Sequence, residues 1–165
     1  LLTRLVHFQK PENILELGTC LGVSSMYMFN GLSSGNLTSV EGCSETHKAR
    51  TKVFKENGIK TSNKAEFVNH KFDDFFRERE EAFDFVFIDG NHTYAATKRY
   101  FNKLWKKLPK NGVIILDDIH WSEEMERAWG EIILENQHLI SIDLFQFGLC
   151  FKKPQQAKEH FVLRY

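Results

Sequence analysis

The residues able to do chemistry in this chain are acids that recur at the ends of short apolar runs. Glu16 lies in ILELGTCLGVSS, Glu41 follows NLTSV, Asp89 follows FDFVFI, and the pair Asp117 and Asp118 follows VIIL. Each run reads as a parallel strand, so each acid falls at or near a carboxyl end, where open α/β sheets bind their ligands. Strands that pair in parallel lie about 4.8 Å apart, so acids ending the fourth and fifth can converge on one point. Clustered carboxylates repel unless something neutralises them, and a hard divalent cation with oxygen ligands would do so. His92 follows Asp89 in IDGNHTY, and a neutral imidazole can take a proton near pH 7. A loop histidine bonded to Asp89 or Asn91 for structural reasons is the competing reading.

The stretch from Ile14 to Ser25 is the best candidate for a cofactor cradle. Ile14, Leu15 and Leu17 read as a buried strand, Gly18 and Gly22 allow a tight turn, and a helix resumes over Val23 to Leu32. A dinucleotide fingerprint would read G-x-G-x-x-G and set a pyrophosphate on the helix N-terminus. Here the turn has glycines only at Gly18 and Gly22, and Glu16 just before them would repel a pyrophosphate. The carboxylate would instead attract an ammonium or sulfonium group, which points to S-adenosylmethionine. Glu41 is positioned to accept two hydrogen bonds from a ribose diol, with a plain surface acid at the start of the next helix as the alternative.

These residues need a scaffold of alternating strands and helices. A helix precedes Pro11, with Leu1, Leu2, Leu5, Val6 and Phe8 on its apolar face. Asn36 to Val40 reads as the second strand, and Ser44 caps a helix that stops at Gly58. Ala65 to His70 is the third strand, Asp73 to Glu81 a short helix or loop, and Phe83 to Ile88 the fourth strand. Tyr94, Thr97, Phe101, Leu104 and Leu108 mark a helix whose opposite face carries Lys98, Arg99, Lys103, Lys106 and Lys107, read as solvated. Val113 to Leu116 is the fifth strand, and Ser122 caps a helix with Met125, Ala128, Trp129, Ile132 and Ile133 as its apolar stripe. Leu139 to Phe145 and Leu149 to Lys152 suggest a closing antiparallel hairpin. The expected fold is therefore α/β: a Rossmann-like, doubly wound, mostly parallel seven-stranded sheet in one domain, with a C-terminal antiparallel hairpin.

The turn resembles the first motif of class I S-adenosylmethionine-dependent methyltransferases, E/D-x-G-x-x-x-G. The order of strand-end acids is similar to that of the cation-dependent O-methyltransferases of catechol and caffeoyl-coenzyme A type, and of bacterial relatives with a D-G-x-H motif. The resemblance runs from Ile14 through the closing hairpin. It implies that Glu16, Gly18, Thr19, Gly22 and Ser24 border the methionine part of the cofactor, that Glu41 and Gly42 meet its sugar, and that Asp73 meets the adenine. An N-cap role for Asp73 or Asp74 is the alternative. Asp89 would touch the cofactor and, with Asp117 and Asp118, hold a divalent cation such as magnesium or calcium, although this family has Asn where Asp118 stands. In the competing reading Asp118 caps the following loop. His92 occupies the place of the catalytic lysine, which makes His92 and Asp89 the expected catalytic residues, and His120 and Trp121 would line the acceptor side.

Length, charge and cysteine content narrow the function. The chain has 165 residues, one domain's worth, and its 22 basic residues equal its 22 acidic ones. No global field draws it to nucleic acid or anionic membrane, so a small hydroxylated acceptor is favoured. Cys20, Cys43 and Cys150 form neither a C-x-x-C motif nor an even set, so no disulfide framework or zinc site is indicated, and a cytoplasmic setting fits. Cys20 and Cys43 read as small buried fillers beside the cofactor. No run reaches transmembrane length; the chain begins at Leu1, which leaves an upstream segment open, as is a homodimer. The expected function is S-adenosylmethionine-dependent methyl transfer to a hydroxyl oxygen. A nucleotide-dependent oxidoreductase and a catalytically silent cofactor binder are the alternatives.

Overall fold

A computed structural model describes residues 1–56 and 64–164. It forms two compact units, Leu1–Glu81 and Ala82–Tyr165. The architecture is Rossmann-like α/β, mostly parallel, with an antiparallel C-terminal hairpin.

The first unit comprises α1 (Leu2–Gln9), β1 (Asn13–Leu17), α2 (Val23–Gly31), β2 (Asn36–Val40), α3 (Ser44–Glu56), β3 (Ala65–Val68) and α4 (Phe72–Glu78). Its strands run in parallel in the order β3-β2-β1, with Leu15 opposite Thr38 and Ser39 opposite Phe67. Strands covered on both faces carry continuous apolar runs, and Ile14, Leu15, Leu17, Leu37 and Val40 are accordingly buried. Pro11 and a left-handed Lys10 end α1 where the apolar spacing stops, but Phe8 points to solvent, and Leu2 and Val6 carry the packing. A Cβ at Gly31 would meet the Thr3 carbonyl at 2.6 Å, so α1 and α2 approach as only glycine permits. The expected helix stop at Gly58 lies outside the described residues.

The second unit comprises β4 (Phe85–Ile88), α5 (Tyr94–Lys107), β5 (Val113–Asp117), α6 (Glu123–Glu135), β6 (Leu139–Asp143), β7 (Phe147–Lys152) and β8 (Glu159–Val162). β4 pairs in parallel with β5, β7 lies antiparallel between β5 and β6, and β8 pairs in parallel with β6. The hairpin turn falls at residues 144–146, earlier than the gap expected between Phe145 and Leu149. β8 is additional to the seven expected strands. Its four residues are all exposed, so no alternation of buried and exposed positions announces it.

Helix ends follow their local chemistry. Thr93 and Ser122 accept from the main-chain N–H of Ala96 and Met125, three residues on, and open α5 and α6. Lys152 closes α5 by donating from Nζ to the carbonyls of Trp105 and Leu108, at 2.8 and 2.7 Å. The basic face of α5 is not wholly solvated as expected. The Lys98 side chain is only 12 % exposed and pairs with Glu135 at 2.5 Å and Glu131 at 3.2 Å on α6, because the two helices pack with opposite charges facing.

Asp143 ties the hairpin together. Its carboxylate accepts from the N–H of Phe145 (2.8 Å), from His120 Nε2 (2.8 Å), from Arg164 Nη1 (3.2 Å) and from Trp129 Nε1 (3.3 Å). Burial pushes its pKa up, and these donors outweigh burial and hold it below the ordinary value. A carboxylate whose folded pKa is depressed stabilises the fold above its unfolded pKa, and that contribution fades as pH falls through the folded pKa. Asp143→Asn should therefore lower the unfolding free energy at neutral pH by about 2–3 kcal/mol. The deficit should shrink as the pH falls below about 4, as read from urea midpoints across pH.

Candidate functional site

The cradle of the first unit is a turn of left-handed residues. β1 ends at Leu17, and Gly18 (φ 105°), Cys20 (φ 46°) and Gly22 (φ 81°) reverse the chain into α2. The N–H groups of Gly18 and Thr19 donate to the Val40 carbonyl at 2.9 and 3.3 Å, and that of Gly22 to Thr19 at 2.8 Å, so the turn is closed against β2. A Cβ at Gly22 would lie 2.7 Å from the Phe54 ring; conformation and space both demand glycine there. Gly42 differs, since its nearest neighbours would stand at 3.7 Å, an ordinary contact.

Glu16 lies beneath this turn and is wholly buried. Its Oε1 accepts from the Ser24 hydroxyl at 2.5 Å, and its Oε2 accepts from the hydroxyls of Ser25 and Ser39. Thr19 Oγ1 joins the group through Ser39 Oγ at 2.6 Å. The sequence offered Glu16 as a direct partner for a cationic ligand. The structure encloses its carboxylate among hydroxyls, where it fixes the first turn of α2 to β1 and β2 and aims the hydroxyls of Thr19 and Ser24. Ser25 and Ser39 were not anticipated. The available signal was a serine inside the otherwise apolar end of β2 and a doubled serine opening α2.

Glu41, at the end of β2, is partly exposed. Its Oε2 accepts the Cys20 N–H at 2.9 Å and its Oε1 the Cys43 N–H at 2.8 Å, while Asn69 Nδ2 donates to its carbonyl at 2.7 Å. Asn69 is a further residue the sequence did not single out. Cys20 and Cys43 are exposed rather than buried fillers, because the left-handed turn and the residue ahead of α3 both stand at the surface; Cys150, on β7, is the buried one. Asp73 is exposed in the first turn of α4. Neither it nor Asp74 is the N-cap, a position held by Lys71, and Asp74 pairs with Arg77.

In the second unit the acids of β4 and β5 gather with His92. Asp118, in a left-handed conformation (φ 55°), donates its N–H to Asp117 Oδ1 at 2.9 Å, and Asp89 Oδ1 stands 3.5 Å from His92 Nε2. Asp117 is 9 % exposed, and burial, reinforced by the Asp89 and Asp118 charges, raises its carboxyl to about 7. A hydrogen bond donated to the Asp89 carboxylate raises the His92 imidazole above its usual value against the opposing effect of burial, with the charges of Asp89, Asp118 and Asp117 adding to the rise. A proton on the Asp117 carboxyl would remove one of the cluster's three negative charges.

Asp89, Asp117 and Asp118, expected to hold a divalent cation, stand at or just past the ends of β4 and β5. Among the described residues no three His, Cys, Asp or Glu side chains are arranged to hold a metal ion. His120 turns away to Asp143 and Glu126 and stacks on Phe145, with ring centroids 5.6 Å apart. Trp121 is 76 % exposed, so it does not anchor α6. A cavity of about 300 Å³ in the same unit, bordered by Phe145, Leu163 and Arg164, contains none of the clustered acids.

A family model described as a methyltransferase domain matches residues 15–119. The chain is 27 % identical over 143 residues to the uncharacterized protein R132 of Acanthamoeba polyphaga mimivirus, covering 79 % of this chain and 63 % of that protein. It therefore spans less than two-thirds of that relative's length. Among solved structures, the O-methyltransferase from Bacillus cereus in complex with SAH aligns over 92 % of this chain and 79 % of its own, with a TM-score of 0.75 and 22 % identity. TomG from Streptomyces achromogenes, an O-methyltransferase in complex with SAM, covers 92 % and 78 % with a TM-score of 0.75 and 20 % identity. These two likenesses show a shared fold.

The hydroxyl cluster around Glu16 can be tested by its weakest and strongest members. Ser39→Ala leaves a buried carboxylate and the Thr19 hydroxyl each short of a partner, and should cost about 1–3 kcal/mol of unfolding free energy. Ser24→Ala, at a partly exposed position where water can substitute, should cost less, and chemical denaturation of both variants gives the order.

Proposed function

Because the chain belongs to the methyltransferase-domain family, we propose that it transfers a methyl group from S-adenosylmethionine to a hydroxyl oxygen of a small molecule. The observation that carries this reading is the His92 imidazole held against the Asp89 carboxylate beside the buried Asp117. It joins a base, a partner that steadies its protonated form, and a store for one proton. When bound, S-adenosylmethionine supplies an electrophilic methyl group on a sulfonium centre. His92, in its neutral form with Nε2 turned to Asp89, accepts the proton of the acceptor hydroxyl at Nδ1, and Asp89 stabilises the imidazolium that results, as a carboxylate does in other acid–base pairs. No step of this scheme passes through a metal ion.

The cradle fits the donor by its chemistry. Its left-handed glycine turn brings backbone close to a ligand, and Glu41 offers carboxylate lone pairs to a ribose diol. Names carried by structural relatives support the same reading: the Bacillus cereus protein holds SAH, the Streptomyces achromogenes protein SAM, and both are described as O-methyltransferases. Equal numbers of acidic and basic residues favour a small acceptor over nucleic acid. No helix among the described residues is long and apolar enough to cross a membrane.

Calorimetric titration with S-adenosylhomocysteine tests the donor, and turnover on a panel of small phenols and other hydroxylated compounds tests the base. The protein should bind the nucleoside, and His92→Ala should lower turnover by about 100- to 10,000-fold while leaving S-adenosylhomocysteine affinity within about twofold. Binding of a nicotinamide dinucleotide in its place, or full turnover by His92→Ala, would overturn the proposal. Repeating the titration with magnesium and with a chelator should leave the affinity unchanged.

A further inference from the structure

Two cysteines bracket Glu41. The main-chain nitrogens of Cys20 and Cys43 each bond one oxygen of that carboxylate, at 2.9 and 2.8 Å, and both residues are exposed and free. Cys43 stands just ahead of α3. Hydrogen bonds from the Thr46 side chain, then from the main chain of Thr46 and Glu45, lower its thiol pKa, with burial and the Glu41 charge opposing. A helix N-terminus favours the thiolate, and exposed thiolates beside a second thiol are the ones that oxidise reversibly. Cys20 sits in the left-handed turn at the surface, and Cys150 is fully buried with its thiol pKa pushed far up, which leaves it inert.

We propose that Cys20 and Cys43 are a peroxide-sensitive thiol pair whose disulfide forms at the expense of the Glu41 bridge, and so closes this turn to the sugar of the cofactor. The inference rests on Glu41 acting as the ribose acceptor. A disulfide needs Cα atoms roughly 4.4–6.8 Å apart. In the reduced protein the Glu41 carboxylate links the two main-chain nitrogens through its two hydrogen bonds, so a bond between the sulfurs forms across the place that carboxylate holds. Disulfide and bound sugar therefore compete for one place.

The chemistry balances with hydrogen peroxide as the oxidant. The Cys43 thiolate attacks one peroxide oxygen, the O–O bond breaks, hydroxide leaves, and Cys43 becomes a sulfenic acid. The Cys20 sulfur then attacks the Cys43 sulfur, the S–O bond breaks, and hydroxide departs with the proton that Cys20 gives up. Two thiols and one peroxide yield one disulfide and two waters, with both electrons passing to the peroxide.

The test uses the full chain, reduced and then treated with hydrogen peroxide with and without S-adenosylhomocysteine. A protease that cuts after glutamate separates the two cysteines at Glu41, so a non-reducing peptide map reads the link directly. The expected result is a Cys20–Cys43 cross-link, Cys150 left alkylatable only after unfolding, and cross-linking slowed at least about fivefold by bound ligand. The cross-linked protein should bind S-adenosylhomocysteine at least about tenfold more weakly by the same linkage, with recovery in dithiothreitol. Cys20→Ser should leave Cys43 trapped as a sulfenic acid by dimedone. Separate oxidation of the two cysteines, a link only between two chains, or unchanged affinity after cross-linking would overturn the proposal. Failure of the reduced protein to bind the nucleoside would instead overturn the cofactor reading, and the peptide map would still judge the thiol pair alone.

Discussion

The first unit depends on one buried negative group being fully answered. A carboxylate removed from water is destabilising unless hydrogen bonds replace its hydration, and Glu16 obtains those bonds from three serine hydroxyls on α2 and β2. The bonds come from two different elements, so satisfying the charge fixes where α2 starts relative to β2. The turn through Gly18 and Gly22 then has little freedom left. Its N–H groups point at the Val40 carbonyl, and its far side is held by Glu41 through Cys20. Two acids clamp one turn, the buried one through hydroxyls and the exposed one through backbone amides.

The second unit solves a related problem differently. Asp89, Asp117 and Asp118 bring three carboxyl groups to the ends of β4 and β5, where mutual repulsion would drive them apart. Protonation is the relief the structure provides: the Asp117 carboxyl, raised to about 7, can carry a proton at neutral pH, and the Asp89 carboxylate favours a proton on His92. The arrangement that removes repulsion is also one that moves protons, so its structural and chemical roles have a common cause.

Strands and helices were legible in the sequence because their signals are local. Apolar runs ending in acids located β1, β2, β4 and β5, apolar residues at helical spacing located α5, and a capping serine located α6. What the sequence could not give was direction. Glu16 and Glu41 look alike as strand-end acids, yet one points beneath the turn and the other stands at its rim, and only the partners Ser25, Ser39 and Asn69 decide which. The cysteines were misread for a similar reason. Small residues beside a glycine turn are usually buried, but the left-handed conformation of Cys20 and the placement of Cys43 ahead of α3 put both outside. β8 escaped because an edge strand with every residue exposed lacks the alternation that marks a half-buried one.

Backbone conformation separates the candidate sites from the scaffold that carries them. Several left-handed residues lie at chain reversals far from the acids, and Lys10 and Asn111 among them end a helix and open a strand. Cys20, Asn91 and Asp118 are different: each immediately follows or forms part of a strand-end motif that carries an acid or His92. Non-glycine residues adopt this conformation at a cost, less for Asn and Asp than for Cys, so the surroundings must hold them there. At Cys20 the restraint is the Glu41 carboxylate, and at Asp118 it is Asp117. The same acids assigned chemistry are therefore the ones that hold the backbone in its turn, and a substitution that removes the charge also releases the geometry. Conservative exchanges that keep shape and remove only charge are the ones whose effects can be assigned to chemistry.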